Sequence, residues 1–453
     1  MASDGPLRGV SVVVAGAGLA GLAAARDLAA AGAAVTVVEA RERVGGRVWT
    51  IRDGFADHQH AEAGGDMIDA SHREIIALAG ELGLPLVRIL RGGWGYARRN
   101  LNGHIRLAAS AFSGWKRMAR ALAPSIRLYR LAEQRWDTPI ASGLARRSVA
   151  RWLDEVNADA ELRAIATAMR GFFLADPDEL SLLALVDQLA SFDDDGPGAT
   201  FRIGGGNDRL PAAMAAELGD HVKLGTEVVA VSHRGQKVRV SVKQARMLSQ
   251  IVCDYVVMAL PATVLRRIPI TPSLQAPQHE AIATLKYGRA SRTLLQFSGR
   301  FWRGRGRPRA FGSDLEFGAV WDGNEEQPGR PGILSLLAGG SASDATQGTI
   351  ARDGMRGLAG MFDWLGASRT ELLHARQFVW EADPWARGGY AFFDPSFDPT
   401  IRAWLMRPTG RLVFAGEHTS VRWQGYMNGA VESGRRAAAE IAALRAAELT
   451  IHN

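Results

Sequence analysis

Three glycines at positions 16, 18 and 21, in the stretch GAGLAG, have the spacing of a turn that wraps a diphosphate. Gly16 tightens the turn, Gly18 removes the side chain that would hold the backbone away from the phosphates, and Gly21 lets the following helix pack closely on the preceding strand. Leu19 and Ala20 carry the turn into that helix. Glu39 follows Gly16 by 23 residues, close to the ~20 at which a dinucleotide site places the acid for a ribose hydroxyl. Ala40 and Arg41 extend the same end of the site. The chemistry implied is the binding of a dinucleotide, and these residues alone allow NAD or FAD.

The elements that must position these residues are legible on either side of them. Residues 10–15 (VSVVVA) read as a buried parallel strand, 19–31 as an alanine-rich helix and 35–39 (VTVVE) as the next strand, a βαβ unit of about thirty residues. From 71 to 200 the pattern is largely helical and rich in Trp and Arg. There DPDELSLLALVDQLASF carries an apolar stripe and DDDGPG breaks it. FRIGGGNDRLPAAMAAELG reads as strand, glycine turn and helix, with strands expected at 222–231, 237–243 and 251–260. Residues 290–404 alternate, with many aromatics punctuated by Gly and Pro, as in a second sheet-containing portion. GRLVFAGEHTS is strand then turn, and a long helix with a small-residue start closes the sequence. The fold expected is α/β: a Rossmann-like dinucleotide domain (1–70, 201–275 and 405–453) interleaved with an α+β substrate domain (71–200 and 276–404).

A chain of 453 residues that is 47% hydrophobic exceeds one ordinary core and has room for a large cofactor. The formal charge of +7 comes from 54 basic against 47 acidic side chains, and the arginines read as scattered rather than gathered in blocks. Dispersed charge makes no nucleic-acid footprint, so no nucleic-acid partner is expected. Cys253, the only cysteine, sits in the apolar run IVCDYVVMAL and reads as a buried thiol. The N-terminal residues lack the basic and apolar regions of a signal peptide, and the apolar stretch 10–25 is broken by glycines. A cytoplasmic location without membrane attachment and without a metal is expected, and a homodimer is allowed for.

After Glu39 the chain reads ARERVGGRVWT, and a glycine pair followed by Arg47 is more than an NAD site requires. Here the sequence resembles the flavin-containing amine oxidase family, which includes monoamine oxidases, polyamine oxidases and many L-amino-acid oxidases. The resemblance spans essentially the whole chain. It implies non-covalent FAD, with Gly46 packing on the cofactor and Arg47 reaching its phosphates. HAEAGGDMID supplies the acid-x-Gly-Gly step (Glu62, Gly64, Gly65), with Asp66 and Met67 beside the flavin. TEVVAV is similar to the strand whose valine, here Val228, meets adenine, and DYVVMALP to the strand ending at Ala259 and Pro261 near the dinucleotide. The most specific match is VFAGEHTSVRWQGYMNGAVESG. It implies that Gly416 and Glu417 lie by the ribityl and pyrophosphate groups, and that Gly425, Tyr426, Met427 and Ala430 bring a helix N-terminus to the flavin pyrimidine ring, where donors and a positive dipole end favour the anionic reduced form.

Tyr426 takes the place of one wall of the family's aromatic cage, which frames a substrate amine. Three positions depart from the family's pattern. In DPWARGGYAFF, Tyr390 stands where monoamine oxidases carry the cysteine that bonds FAD, and Ala391 where they carry the second cage tyrosine; Trp385 or Tyr390 could rebuild that wall. Arg292 replaces the lysine that holds a water beside flavin N5, and a guanidinium cannot be deprotonated, which bears on oxygen reactivity. Met67 stands where some L-amino-acid oxidases carry a carboxylate-gripping arginine. Arg289, Arg292, Arg387 and Arg422 are alternative grips. The resemblance implies oxidation of a small-molecule amine by hydride transfer to flavin N5, imine hydrolysis, and reoxidation by O2 with release of hydrogen peroxide. An L-amino-acid oxidase, an amine dehydrogenase using another acceptor, a desaturase of the carotenoid or protoporphyrinogen type, and a non-catalytic FAD-binding scaffold remain open at this point.

Overall fold

The apolar runs of the N-terminal half are buried on both faces, as strands of a parallel sheet must be. In Ser11–Ala15 and Ala34–Val38 the valines at 12–14, 35, 37 and 38 are almost fully enclosed. These strands join Val222–Lys223, Tyr255–Met258 and Leu412–Phe414 in a five-stranded sheet, all neighbours parallel, with Ser11–Ala15 at the centre. The computed structural model describes residues 5–100, 102–108, 112–191 and 198–451. The DDDGPG break lies outside them except for Gly198.

Helix Leu19–Ala30 packs against the long C-terminal helix Met427–Ile451. Their approach requires small residues: a Cβ on Gly434 would stand 2.2 Å from the carbonyl of Ala20. Helix Arg73–Glu81 joins the same side, where Arg435 pairs with Glu74 and Glu81 at 3.0 Å each. Because the first strand, its helix and the C-terminal helix share one apolar core, the first and last segments of the fold hold the glycine turn between them.

The run expected as one strand over 251–260 is two. Met247–Cys253 is an edge of a four-stranded sheet with Val238–Gln244, Thr226–Ser232 and Ile270–Thr271, whereas Tyr255–Met258 belongs to the parallel sheet. The chain changes sheets at Asp254, whose carboxylate accepts from Ser11 N and Oγ at 2.9 and 2.7 Å. Cys253 is buried just before the change, and burial raises its thiol to about 11.

A seven-stranded sheet forms the other body of the fold, in the order Leu372–Val379, Ala290–Phe297, Gly332–Gly339, Ala319–Asp322, Ala310–Ser313, Trp94–Arg99 and Ile105–Ala108. The last two strands and Leu86–Ile89 lie within the stretch expected to be largely helical. The reading missed them because Trp94–Arg99 pairs in parallel with Ala310–Ser313, over two hundred residues away, and nothing local announces that partner. The remainder of 112–190 is helical as expected, and Ser148, Asp159 and Ser181 cap their helices through side-chain oxygens. Among the described residues no helix is long and apolar enough to cross a membrane.

Candidate active site

The parallel sheet ends its central strand at Ala15, and the chain turns there into helix Leu19–Ala30 over a cavity of about 1120 Å³. Gly16 has φ +101°, and a Cβ on it would meet the carbonyl of Ala259 at 2.8 Å. A Cβ on Gly18 would meet nothing within 4 Å, so this is the point at which the backbone is bare toward the cavity. Gly21 lies behind the turn, where a Cβ would stand 1.9 Å from the carbonyl of Gly16. Glu39, at the end of the second strand, is buried; its carboxylate accepts from Ala17 N at 2.8 Å and Arg41 N at 2.9 Å.

Of the residues expected at the cofactor, Gly16, Gly18, Leu19, Ala20, Glu39, Ala40, Arg41, Gly46, Arg47, Gly64, Gly65, Asp66, Met67, Val228, Ala259, Pro261, Gly416, Glu417, Gly425, Tyr426, Met427 and Ala430 line this one cavity, and Gly21 supports it from behind. The Gly64–Gly65 step passes so close to the Gly46–Arg47 step that a Cβ on Gly64 would stand 1.8 Å from the Arg47 carbonyl, and one on Gly65 2.8 Å from Met427 Sδ. A flat backbone floor results.

Glu417 ties these pieces together. One of its carboxylate oxygens accepts from Arg47 Nη1 at 2.9 Å and Ala391 N at 3.3 Å, and the other from Gly425 N at 2.9 Å. Arg47 Nη1 also donates to the carbonyl of Gly389 at 2.7 Å. Both residues therefore engage protein partners in a way the resemblance does not imply. Glu417 joins three loops, and Arg47 has one terminal nitrogen committed to that joint.

Beyond this floor the cavity is walled by aromatic rings. Tyr426 contacts His72, Phe172 and Trp423, with centroids 5.0, 6.2 and 5.9 Å away. The Tyr390 ring lies against Gly425, where a Cβ would approach it at 3.2 Å, and its hydroxyl donates to the carbonyl of Phe172. Burial pushes the phenols of Tyr390 and Tyr426 well above their ordinary value, so both are neutral hydroxyls. Tyr390 thus lies against Gly425, the residue before Tyr426, and is followed by the small Ala391. Trp385 also lines the cavity, and its backbone N donates to Asp383, which pairs with Arg41.

A family model described as flavin containing amine oxidoreductase matches residues 19–442. The chain belongs to this family. A Mycobacterium tuberculosis protein named for a flavin-containing monoamine oxidase, AofH, is 30% identical over 452 residues, covering 96% of this chain and 97% of that protein. Amine oxidase [flavin-containing] A of Bos taurus is 25% identical, covering 95% and 84%. Among solved structures, cyclohexylamine oxidase from Brevibacterium oxydans superposes with a TM-score of 0.83 at 26% identity, covering 96% of this chain and 99% of that one. Wild-type putrescine oxidase bound to putrescine gives 0.82 at 25% identity, with the same coverage. The protein is a flavin-dependent amine oxidoreductase with the family's mixed α/β fold. The glycine turn, the backbone floor and a cavity of this volume suit a flavin cofactor.

In this amine oxidoreductase Arg292 lies on Ala290–Phe297, a strand buried along its whole length. Its Nη1 donates to Ser335 Oγ at 2.9 Å and its Nη2 to the carbonyl of Gly64 at 2.8 Å, while the guanidinium sits 4.3 Å over the Trp321 ring. Asp66, 3.9 Å away, supplies a counter-charge and is shared with Arg202, which is 1% exposed and also pairs with Glu326 at 2.8 Å. Trp321 Nε1 donates to the same Asp66 at 2.8 Å. Burial lowers the Arg292 guanidinium from its ordinary value, against the pull of Asp66. Next to this group, burial and then Asp66 raise the Glu62 carboxyl to about 8, against hydrogen bonds from Asn207 N and Thr50 Oγ1 at 2.9 Å.

Phe172, Trp321, Asp187 and Arg402 are among the lining residues that the sequence did not single out. Arg402 lies 3.8 Å over Trp136 and 3.9 Å from Asp187. Phe172 and Trp321 were visible as aromatics, but no fixed spacing relates either to the glycine motifs. Their place depends on how the helical segment and the second sheet close over the first. Of the other arginines weighed as carboxylate grips, Arg289 is committed to Glu179, Asp176 and Asp344. Arg387 is exposed and does not line the cavity, and Arg422 lines it with its guanidinium 5.1 Å over Trp423.

Proposed function

We propose that this cavity holds FAD non-covalently and oxidises a small amine that carries no carboxylate. The observation that carries the reading is that Tyr426 and Tyr390 line the same cavity as the Gly64–Gly65 floor, Tyr390 lying against Gly425, whose N donates to Glu417 at 2.9 Å. Bound there, FAD would accept a hydride from the α-carbon of the amine and pass the electrons to O2 with release of hydrogen peroxide, the imine being hydrolysed in water. Tyr390 at the position of the flavin-bonding cysteine leaves no thiol there, which supports non-covalent binding. The protein orients and desolvates: Tyr426, Tyr390 and Phe172 present ring faces to a neutral amine, and the helix starting at Met427 directs its N-terminal end to the same region.

Met67 packs in an apolar cluster with Ile89, Leu90 and Trp321, so the position of the carboxylate grip is apolar. Arg289 and Arg292 have committed partners. These observations support an amine over an amino acid. In the similar solved structures, the names speak of cyclohexylamine and putrescine; here the aromatic wall suits a cyclic or aryl-alkyl amine.

The engagement of Arg292 favours a second reading of the oxidative half, in which O2 reacts slowly and another acceptor takes the electrons. A charged guanidinium fixed on Gly64 and Ser335 neither gives up a proton nor swings freely. Anaerobic mixing of the holoprotein with primary amines, polyamines and L-amino acids, followed by admission of oxygen, tests both halves. Bleaching by amines and rapid peroxide formation is the expected result. A flavin bleached by none of them overturns the proposal, whereas bleaching with slow reoxidation that Arg292→Lys accelerates establishes the second reading.

A further inference from the structure

Positive charge in this chain is concentrated in one segment. Residues 82–132 contain ten lysines and arginines and no aspartate or glutamate, leaving 44 basic and 47 acidic residues elsewhere. The expectation of evenly scattered arginines fails here. More than the whole net charge resides in about a ninth of the chain.

The described part of that segment forms Leu86–Ile89, the hairpin Trp94–Arg99 with Ile105–Ala108, and two successive helices, Phe112–Ala121 and Ala123–Leu131. Arg98 and Arg106 are cross-strand partners. Arg98 and Arg117 both reach Glu161, and Arg117 also reaches Asp159, which sets the hairpin beside the first helix. These two carboxylates neutralise part of the charge. Arg99, Arg106, Arg120 and Arg127 are exposed and have no ionic partner among the described residues. On the second helix Ile126 and Tyr129 face inward, whereas Leu128 and Leu131 are 52% and 73% exposed next to Arg127. Arg98, Arg117 and Arg120 also line the cavity, and all three are open to solvent, so the hairpin and the first helix border its mouth, with the second helix following directly.

We propose that this basic, leucine-bearing face docks the protein on an anionic phospholipid surface, with the cavity mouth turned toward the bilayer. Coulomb attraction alone would suit any polyanion. Leu128 and Leu131 decide for a lipid surface, because an exposed leucine beside arginine gains from insertion at a headgroup boundary and gains nothing from a nucleic-acid backbone. Each unpaired arginine near such a surface strengthens partition about fivefold at moderate salt. This mode of attachment requires no spanning helix.

The experiment is sedimentation of the flavin-loaded protein with phosphatidylcholine vesicles, with phosphatidylcholine–phosphatidylserine vesicles, and separately with single-stranded RNA. Binding to the anionic vesicles alone is expected, weakening as salt rises. Arg106→Glu with Arg127→Glu should weaken it at least about tenfold, and Leu128→Ser with Leu131→Ser should weaken it severalfold while flavin absorbance is unchanged. If the charge-reversal variant loses its flavin, the salt titration of the unmodified protein and the leucine variant decide. Equal binding to neutral and anionic vesicles, no vesicle binding, or tight RNA binding insensitive to the leucine pair would each overturn the proposal.

Discussion

Tyr426 meets three other rings and is buried, so under the proposed function it would offer an amine substrate a ring face. Tyr426→Phe should therefore leave kcat/KM nearly unchanged, and Tyr426→Ala should lower it about fivefold, as expected for one ring–amine contact of ~1 kcal/mol; steady-state kinetics on a bleaching amine distinguish the two. Glu62 makes a pH prediction. Its carboxyl is held protonated to about 8, above the value of an unfolded chain, so the stability it lends is fully present below about pH 4.5 and is lost as pH rises through 8. The thermal midpoint should fall between pH 5 and 8 more steeply in the unmodified protein than in Glu62→Gln, which keeps the bonds from Thr50 and Asn207; parallel slopes in calorimetry would reject this. At this scale the sequence was informative about glycines, because a turn that admits no Cβ leaves a spacing, as at Gly16 and Gly21. It was uninformative about Glu417 and Arg47 meeting each other, since that depends on a contact between residues 370 apart.

Strand Thr200–Ile203 carries Arg202 into a dry junction with Asp66 and Glu326, linking the strand that follows the glycine floor to the loop beyond Trp321. Removing the cation takes the nearest counter-charge from Glu326 and leaves Asp66 with only Arg292, 3.9 Å away, a cost of ~3–5 kcal/mol. Arg202→Met should show that loss in denaturant unfolding, with no change in the slope of the transition; a loss below about 1 kcal/mol would mean that water enters and solvates the acids. Elements with strong local signals were legible: the first βαβ unit, the helix after FRIGGG and the C-terminal helix all occur near their expected bounds. Those whose identity rests on a distant partner were not. The apolar run through Cys253 and Tyr255 conceals a change of sheet that only the bonds from Ser11 to Asp254 enforce, and Trp94–Arg99 becomes a strand because Ala310–Ser313 lies beside it.

On the scale of the whole molecule, one cavity is bounded by residues from Gly16 to Ala430, so the proposed FAD would bridge nearly every part of the fold. A ligand that binds only the folded state adds RT ln(1 + [L]/Kd), about 2.7 kcal/mol at a hundredfold excess over Kd. Added FAD should raise the unfolding midpoint of flavin-stripped protein progressively with concentration, and a midpoint insensitive to FAD, measured by tryptophan fluorescence, would contradict the assignment.

The joint at Glu417 also sets an order of events during synthesis. Its partners Arg47, Ala391 and Gly425 are made before, before and after it, and the helix that braces the glycine turn begins only at Met427. A nascent chain paused short of this region has its diphosphate turn but neither the clasp nor the brace. Under the proposed function, capture of the cofactor would be deferred until the residues from Glu417 to Met427 and beyond, which supply the clasp and the brace, have been made.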